Sequence, residues 1–188
     1  MTVSVSVLGI FAVDLIFRSD RLPVTGETLI GNSFATGPGG KGSNQAIAAR
    51  RSGAEVFLIS KLGADSFGDM GRQLYETEGI SPDYLLTHPE VANAAAVIMV
   101  NEQTGNNTII VVPGAAGTIT ADEVQGAATA ITASQIFLTN LEVPLVAMQA
   151  GLETAHKHKV RTLLNPAPGT PLSPGIYPLC DFLTPNEN

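Results

Sequence analysis

At 188 residues with 44% hydrophobic composition, the chain can bury a full core, and its size suits one domain with an appendage better than two. A net charge of −7 argues against nucleic-acid phosphates and anionic membrane surfaces as partners, and the single Cys180 excludes an internal disulfide or a cysteine metal cluster. The first residues carry no basic targeting region, and the longest nearly apolar run, Val91 to Val100, is far too short to span a bilayer; both point to the cytosol.

Val3, Val5, Val7 and Leu8 to Phe11 predict a first strand buried on both faces, with Asp14 following its carboxyl end. Residues 14–36 hold turn signals at Leu22-Pro23 and Thr25-Gly26-Glu27 between short alternating runs, and are expected to form a small β flap. Gly37-Pro38-Gly39-Gly40-Lys41-Gly42-Ser43-Asn44 then changes from near-bare backbone to a helix that ends near Gly53. Free N–H groups in that first turn, with the charge of Lys41 and the amide of Asn44, favour an anionic or hydroxyl-rich ligand. The P-loop pattern fails here because position 35 is Ala and position 42 is Gly. Gly37, Gly39 and Gly42 match a dinucleotide fingerprint only formally, since the preceding run 28–36 is polar and no acid closes the next strand. The plain alternative, a turn that merely joins strand to helix, fits a glycine cluster beside Lys and Asn less well.

Next are expected a strand over Val56 to Ser60, a helix from about Phe67 to Glu78, and a hairpin of 94–100 with 108–112 that extends the flap. From Thr120 the pattern alternates: helix 121–131, strand 136–139, helix 144–158, strand 161–164 and strand 180–183. Such a series implies a mostly parallel, doubly wound α/β sheet with helices on both faces. Thr184-Pro185-Asn186-Glu187-Asn188 has the form of a helix start, which leads to the expectation that the fold continues beyond it.

In open α/β sheets ligands bind beyond the carboxyl ends of the strands, where Asp14, Asn140, Glu142, Asn165 and Asn186 fall. Singly each suits a turn or cap; together around the glycines they suit a polyhydroxylated ligand. His156 and His158 are expected on the surface of a helix's last turn and His88 in a loop, so the histidines predict no metal site. No G-x-S-x-G elbow occurs to support a hydrolase.

Gly39 to Ala46, the Pro-x-x-Gly-Glu-Thr of Pro23 to Thr28, Gly63-Ala64-Asp65-Ser66-Phe67-Gly68, Leu141-Glu142 and Thr184-Pro185-Asn186-Glu187 together resemble the ribokinase-like sugar kinases of the PfkB family, over the whole chain. The resemblance implies a ribokinase-like fold whose β lid is formed by about 14–36 and 94–112. It implies that Asp14, Gly40, Lys41, Gly42, Ser43, Asn44 and Glu142 hold sugar hydroxyls and that Asn186 faces nucleotide phosphates. It also implies ATP, Mg²⁺ and a monovalent cation such as K⁺ as cofactors, and a homodimer through the lid. Two departures stand out: Ala12 occupies a place where ribokinases commonly have Asn, and the Gly-Ala-Gly-Asp motif with the catalytic base does not occur, since Gly114-Ala115-Ala116-Gly117-Thr118 differs from it. The expectation is an ATP-dependent sugar kinase whose sugar-binding part is this chain and whose base and C-terminal fold lie beyond residue 188, so that the chain alone is inactive. The alternative is a non-catalytic sugar-binding or interaction module.

Overall fold

The computed structural model describes residues 2–186. Its elements begin with β1 (Ser4–Leu8), β2 (Ala12–Ser19), β3 (Ser33–Gly39), α1 (Lys41–Arg51), β4 (Glu55–Gly63), α2 (Ser66–Glu78) and β5 (Leu85–His88). They continue with β6 (Ala94–Asn101), β7 (Asn107–Val112), a 3₁₀ turn over Gly114–Thr118, α3 (Ala121–Gly126), α4 (Ala128–Thr132) and β8 (Ile136–Asn140). Then come α5 (Leu145–Lys157), β9 (Arg161–Asn165), a short 3₁₀ turn over Tyr177–Leu179, and β10 (Phe182–Leu183). Glu187 and Asn188 of the expected helix start lie outside the described residues.

Six strands form a parallel sheet in the order β10-β9-β8-β1-β4-β5, and four form a second, mixed sheet in the order β3-β2-β6-β7. All five residues of β1 are buried because the strand sits in mid-sheet between two helical layers. On one face Val5, Val7 and Leu58 pack with Ala46, Ile47 and Tyr75 of α1 and α2. On the other, Leu8, Ile59 and Phe137 pack with Val124 and Ile131 of α3 and α4 and with Met148 and Leu152 of α5. Each such aliphatic side chain contributes about 1.5–3 kcal/mol by leaving water, which makes this two-sided core the main stabilising term.

Several sequence expectations are corrected. The first strand stops at Leu8 and not at Phe11, and the flap's first strand already begins at Ala12, so Asp14 lies inside β2, opposite Gly37 of β3 and Ala96 of β6. Gly37 to Gly39 are strand residues, so the helix begins abruptly at Gly40, whose φ of 91° only glycine takes readily. The helix foreseen over 121–131 breaks at Ala127, whose φ of −96° and ψ of 13° leave the α region right after the weak helix former Gly126. His88 ends the short edge strand β5 and its Nδ1 accepts the N–H groups of Glu90 and Val91.

The second sheet is anchored where its strands leave the first. Asn93, buried just before β6, receives the Gly63 N–H on its Oδ1 at 3.2 Å, while its own N–H donates to Asp65 Oδ2 at 2.8 Å. The other oxygen of Asp65 accepts the Gly68 N–H at 2.8 Å and so caps α2. One carboxylate thus ties a helix start to the entry of the second sheet.

Candidate sugar site

The chain leaves β1 for the second sheet, returns through α1 to β4 on one side, and later arrives at β8 on the other side of β1. Leu8 and Thr139 are therefore neighbours at a point where the winding reverses, the place where open α/β sheets present a crevice. The second sheet stands over it. Asp14 pairs with Ala96 and Ala96 with Val111, so Ala12, Asp14, Ala96, Ile98, Ile109 and Val111 share one face. That face, Ile10, the α1 start (Gly40, Lys41, Asn44) and Glu142 enclose a cavity of about 160 Å³. This is well below the roughly 300–1,000 Å³ of sites for drug-sized ligands and suits a small polar molecule.

The lining mixes polar groups, Asp14, Lys41, Asn44 and Glu142, with the aliphatic side chains of Ala96, Ile98, Ile109 and Val111. Glu142 Oε2 accepts the Lys41 N–H at 2.7 Å and Oε1 lies 3.6 Å from Lys41 Nζ. The Ser43 N–H donates to the Ile10 carbonyl at 3.1 Å and the Asn44 N–H to the Gly40 carbonyl at 3.0 Å. The expectation of a helix start with free N–H groups is thus corrected in part: the Glu142 carboxylate engages the Lys41 N–H and the Ile10 carbonyl the Ser43 N–H, while the Asn44 bond is the helix's own first turn. Burial pushes the Glu142 carboxyl above its ordinary value, opposed by hydrogen bonding and charge from Lys41 and reinforced by Asp14. Burial likewise raises Asp14, opposed by the Lys41 charge, and no hydrogen bond from the described residues contributes to its shift. The Asp14 carboxylate lies against Gly39, where a Cβ would come within 2.6 Å of both its oxygens.

Of the residues singled out in the sequence, Asp14, Gly40, Lys41, Asn44 and Glu142 meet at the cavity. Gly42 and Ser43 do not line it. Gly42 lets α1 approach β1's exit so closely that a Cβ would come within 2.5 Å of Gly9 Cα, and the fully buried Ser43 hydroxyl accepts the Tyr75 hydroxyl at 2.9 Å. Asn165 donates to the Thr184 carbonyl at 2.6 Å, and Asn186 is exposed after the edge strand β10. The aliphatic wall of Ala96, Ile98, Ile109 and Val111 went unnoticed in the sequence, although their period-2 spacing on the hairpin could have marked it. Larger hollows lie elsewhere. One of about 610 Å³ adjoins the amino ends of β8 and β9 near Gln135 and Arg161, and one of about 520 Å³ lies beside Tyr75, Ile80 and Leu85. Neither brings two carboxylates together, and the first is at the wrong end of the strands for a ligand crevice.

Comparison with known proteins places this geometry in context. Residues 3–188 match the pfkB family carbohydrate kinases. The chain is 37% identical to ribokinase of Bacillus subtilis, over 98% of the chain and 62% of that protein. It is 34% identical to deoxyribokinase of Salmonella typhi, over 97% of the chain and 60% of that protein. A solved Arabidopsis thaliana ribokinase, complexed with ribose and ATP, superposes with a TM-score of 0.85 at 26% identity, covering 100% of this chain and 61% of that one. The chain thus spans about 60% of the length of the curated relatives it matches. The chain belongs to the PfkB family of carbohydrate kinases.

Proposed function

We propose that the protein phosphorylates a hydroxyl of ribose or a related pentose or hexose at the expense of ATP, and that this chain supplies the sugar-binding part. The observation that carries the reading is the convergence of Asp14, Lys41, Asn44 and Glu142 in one small cavity faced by an aliphatic wall. A sugar presents hydroxyls at its edges and C–H groups on its faces. Carboxylates at Asp14 and Glu142 would accept the hydroxyl protons, Asn44 and Lys41 would donate, and Ala96, Ile98, Ile109 and Val111 would cover the C–H side. These contacts fix the alcohol in place, which is the positioning share of phosphoryl transfer.

ATP supplies the phosphoryl group in this reading, in line with the nucleotide-bound Arabidopsis relative. No group of three His, Cys, Asp or Glu among the described residues could hold a metal by itself, so Mg²⁺ in this reading would be held mainly through the phosphates of the nucleotide. Asn186, beyond the carboxyl end of β10, is the residue we assign toward the nucleotide. We read the second sheet as a lid over the sugar and its exposed apolar strands as a homodimer contact. No helix among the described residues is long and apolar enough to cross a membrane, and we place the protein in the cytoplasm. Calorimetry with ribose, 2-deoxyribose and fructose, beside a coupled ADP-release assay, tests the proposal. Sugar binding with no ADP release would favour a non-catalytic sugar module, and no sugar binding at all would refute the site.

A further inference from the structure

We infer that Asn140 and Gln45 are positioning residues that hold Glu142 over the cavity by fastening its loop to α1 at two points one helical turn apart. Asn140 is fully buried at the end of β8, and both ends of its amide are engaged. Its Oδ1 accepts the Glu142 N–H at 3.0 Å, and its Nδ2 donates to Gln45 Oε1 at 3.3 Å. The backbone N–H can only donate, so Oδ1 must face Glu142; Nδ2 is then left for Gln45, which fixes the Gln45 amide in turn. Gln45 follows Lys41 by four residues and shares its helix face, and the Lys41 N–H is the group that Glu142 Oε2 binds at 2.7 Å. The loop from Asn140 to Glu142 is therefore pinned to α1 through residues 41 and 45 together.

This arrangement decides which oxygen a ligand meets. Oε2 of Glu142 is spent on the helix start, so Oε1, 3.6 Å from Lys41 Nζ, is the oxygen left for a hydroxyl. Leu141 and Val143 on either side are buried, so the loop's depth is set by packing and its rotation by the Asn140 amide. Neither Asn140 nor Gln45 lines the cavity, so neither touches a ligand there. The functional half of the inference rests on the sugar-site reading; the fastening itself does not.

The test follows the Lys41 amide proton by ¹⁵N–¹H spectroscopy across the carboxyl titration, alongside ribose and 2-deoxyribose calorimetry. In the unaltered protein the Lys41 resonance follows Glu142 as it protonates. In Asn140→Ala that coupling is lost and sugar affinity falls about tenfold, as for loss of a buried hydrogen-bonded contact. Asn140→Asp, which keeps the acceptor for the Glu142 N–H, restores the Lys41 coupling. Gln45→Ala, at a half-buried position, weakens the coupling and gives little extra loss when added to Asn140→Ala. A Lys41 resonance that still follows Glu142 in both Asn140→Ala and Gln45→Ala overturns the inference. Should Asn140→Ala fail to fold, Gln45→Ala decides it by the same readout. Absence of sugar binding in the unaltered protein would refute the sugar-site reading alone, because the Lys41 coupling still tests the fastening.

Discussion

Asp14 and Glu142 carry opposite obligations. Both are held above the ordinary carboxylate range by burial, so the folded chain binds their protons more tightly than the unfolded chain does. The sign follows: below the unfolded values near about 4 their burial costs nothing, and stability is lost as pH rises through the folded values. Asp14→Asn should therefore raise the melting temperature at pH 7 and leave it unchanged in acid, which calorimetric scans at both pH values check. Binding runs the other way, since a carboxylate that accepts hydroxyl protons must be ionised. Sugar affinity should fall as pH drops through the raised values, and Asp14→Ala should weaken it at least tenfold, about 1.5–3 kcal/mol for a charge-assisted bond. Equal affinity of the two proteins in titration calorimetry would remove Asp14 from the site. Ala12 lies on the same strand face and lines the cavity without a polar atom. Restoring an amide with Ala12→Asn should alter the order of preference among ribose, 2-deoxyribose and fructose, while leaving no unpaired protein group in the unaltered site. An unchanged order across that panel would show that position 12 does not read the substrate.

At the level of elements, the second sheet is joined to the first both through the core, which Ala12, Val13 and Ala94 enter, and through small polar knots. Asp65 caps α2 with one oxygen and holds the Asn93 N–H with the other, and these backbone bonds keep its carboxyl below the usual value against the opposing effect of burial. Asp65→Ala should remove a cap and orphan a buried N–H, about 2–4 kcal/mol together. A melting temperature within a degree of the unaltered protein's would refute that accounting. The capping half was readable, because Asp65-Ser66-Phe67-Gly68 places an acceptor before a helical run. The tie to Asn93 was not, because a contact between residues 28 apart in sequence depends on where β5 and β6 run. The same divide holds at the site. Asp14, Lys41, Asn44 and Glu142 were legible as polar residues near strand ends, but the first strand was run on to Phe11 and the flap begun only at Asp14, because the turn at Gly9 to Phe11 carries no break in its apolar run. Ser43 was counted as a ligand group because its burial against Tyr75 needs the packing of α1 on α2. The break at Ala127 escaped because alanine favours a helix wherever it stands.

On the scale of the molecule, the second sheet is apolar on both faces: Phe17, Phe34, Ile110 and Val112 lie exposed on one, and Ile109 and Val111 on the other. A patch of this kind marks an association surface, and sedimentation velocity should show a dimer that Ile110→Asp or Ile109→Asp disperses; a monomer without either change would exclude the lid contact. Transfer to a sugar alcohol needs a group that takes its proton as the bond to phosphorus forms, and fixed donors that meet the charge growing on the transferred phosphoryl. Glu142 is committed to the α1 start and to Lys41, and Asp14 faces the same cavity, so both would bind the hydroxyls that position the sugar. At the α1 start, two first-turn N–H groups, those of Lys41 and Ser43, are already engaged by Glu142 and the Ile10 carbonyl. Lack of a general base alone removes about 10²–10⁴-fold of rate, and lack of an anion hole about 10²–10³-fold more. We therefore expect the 188-residue chain to bind sugar and to release no ADP above the uncatalysed background, in a coupled assay run beside a full-length ribokinase such as that of Bacillus subtilis. Sugar-dependent ADP release by the purified 188-residue chain at a rate near that of the full-length relative would mean that Asp14 or Glu142 takes the proton, and Asp14→Asn and Glu142→Gln in that chain would then identify which.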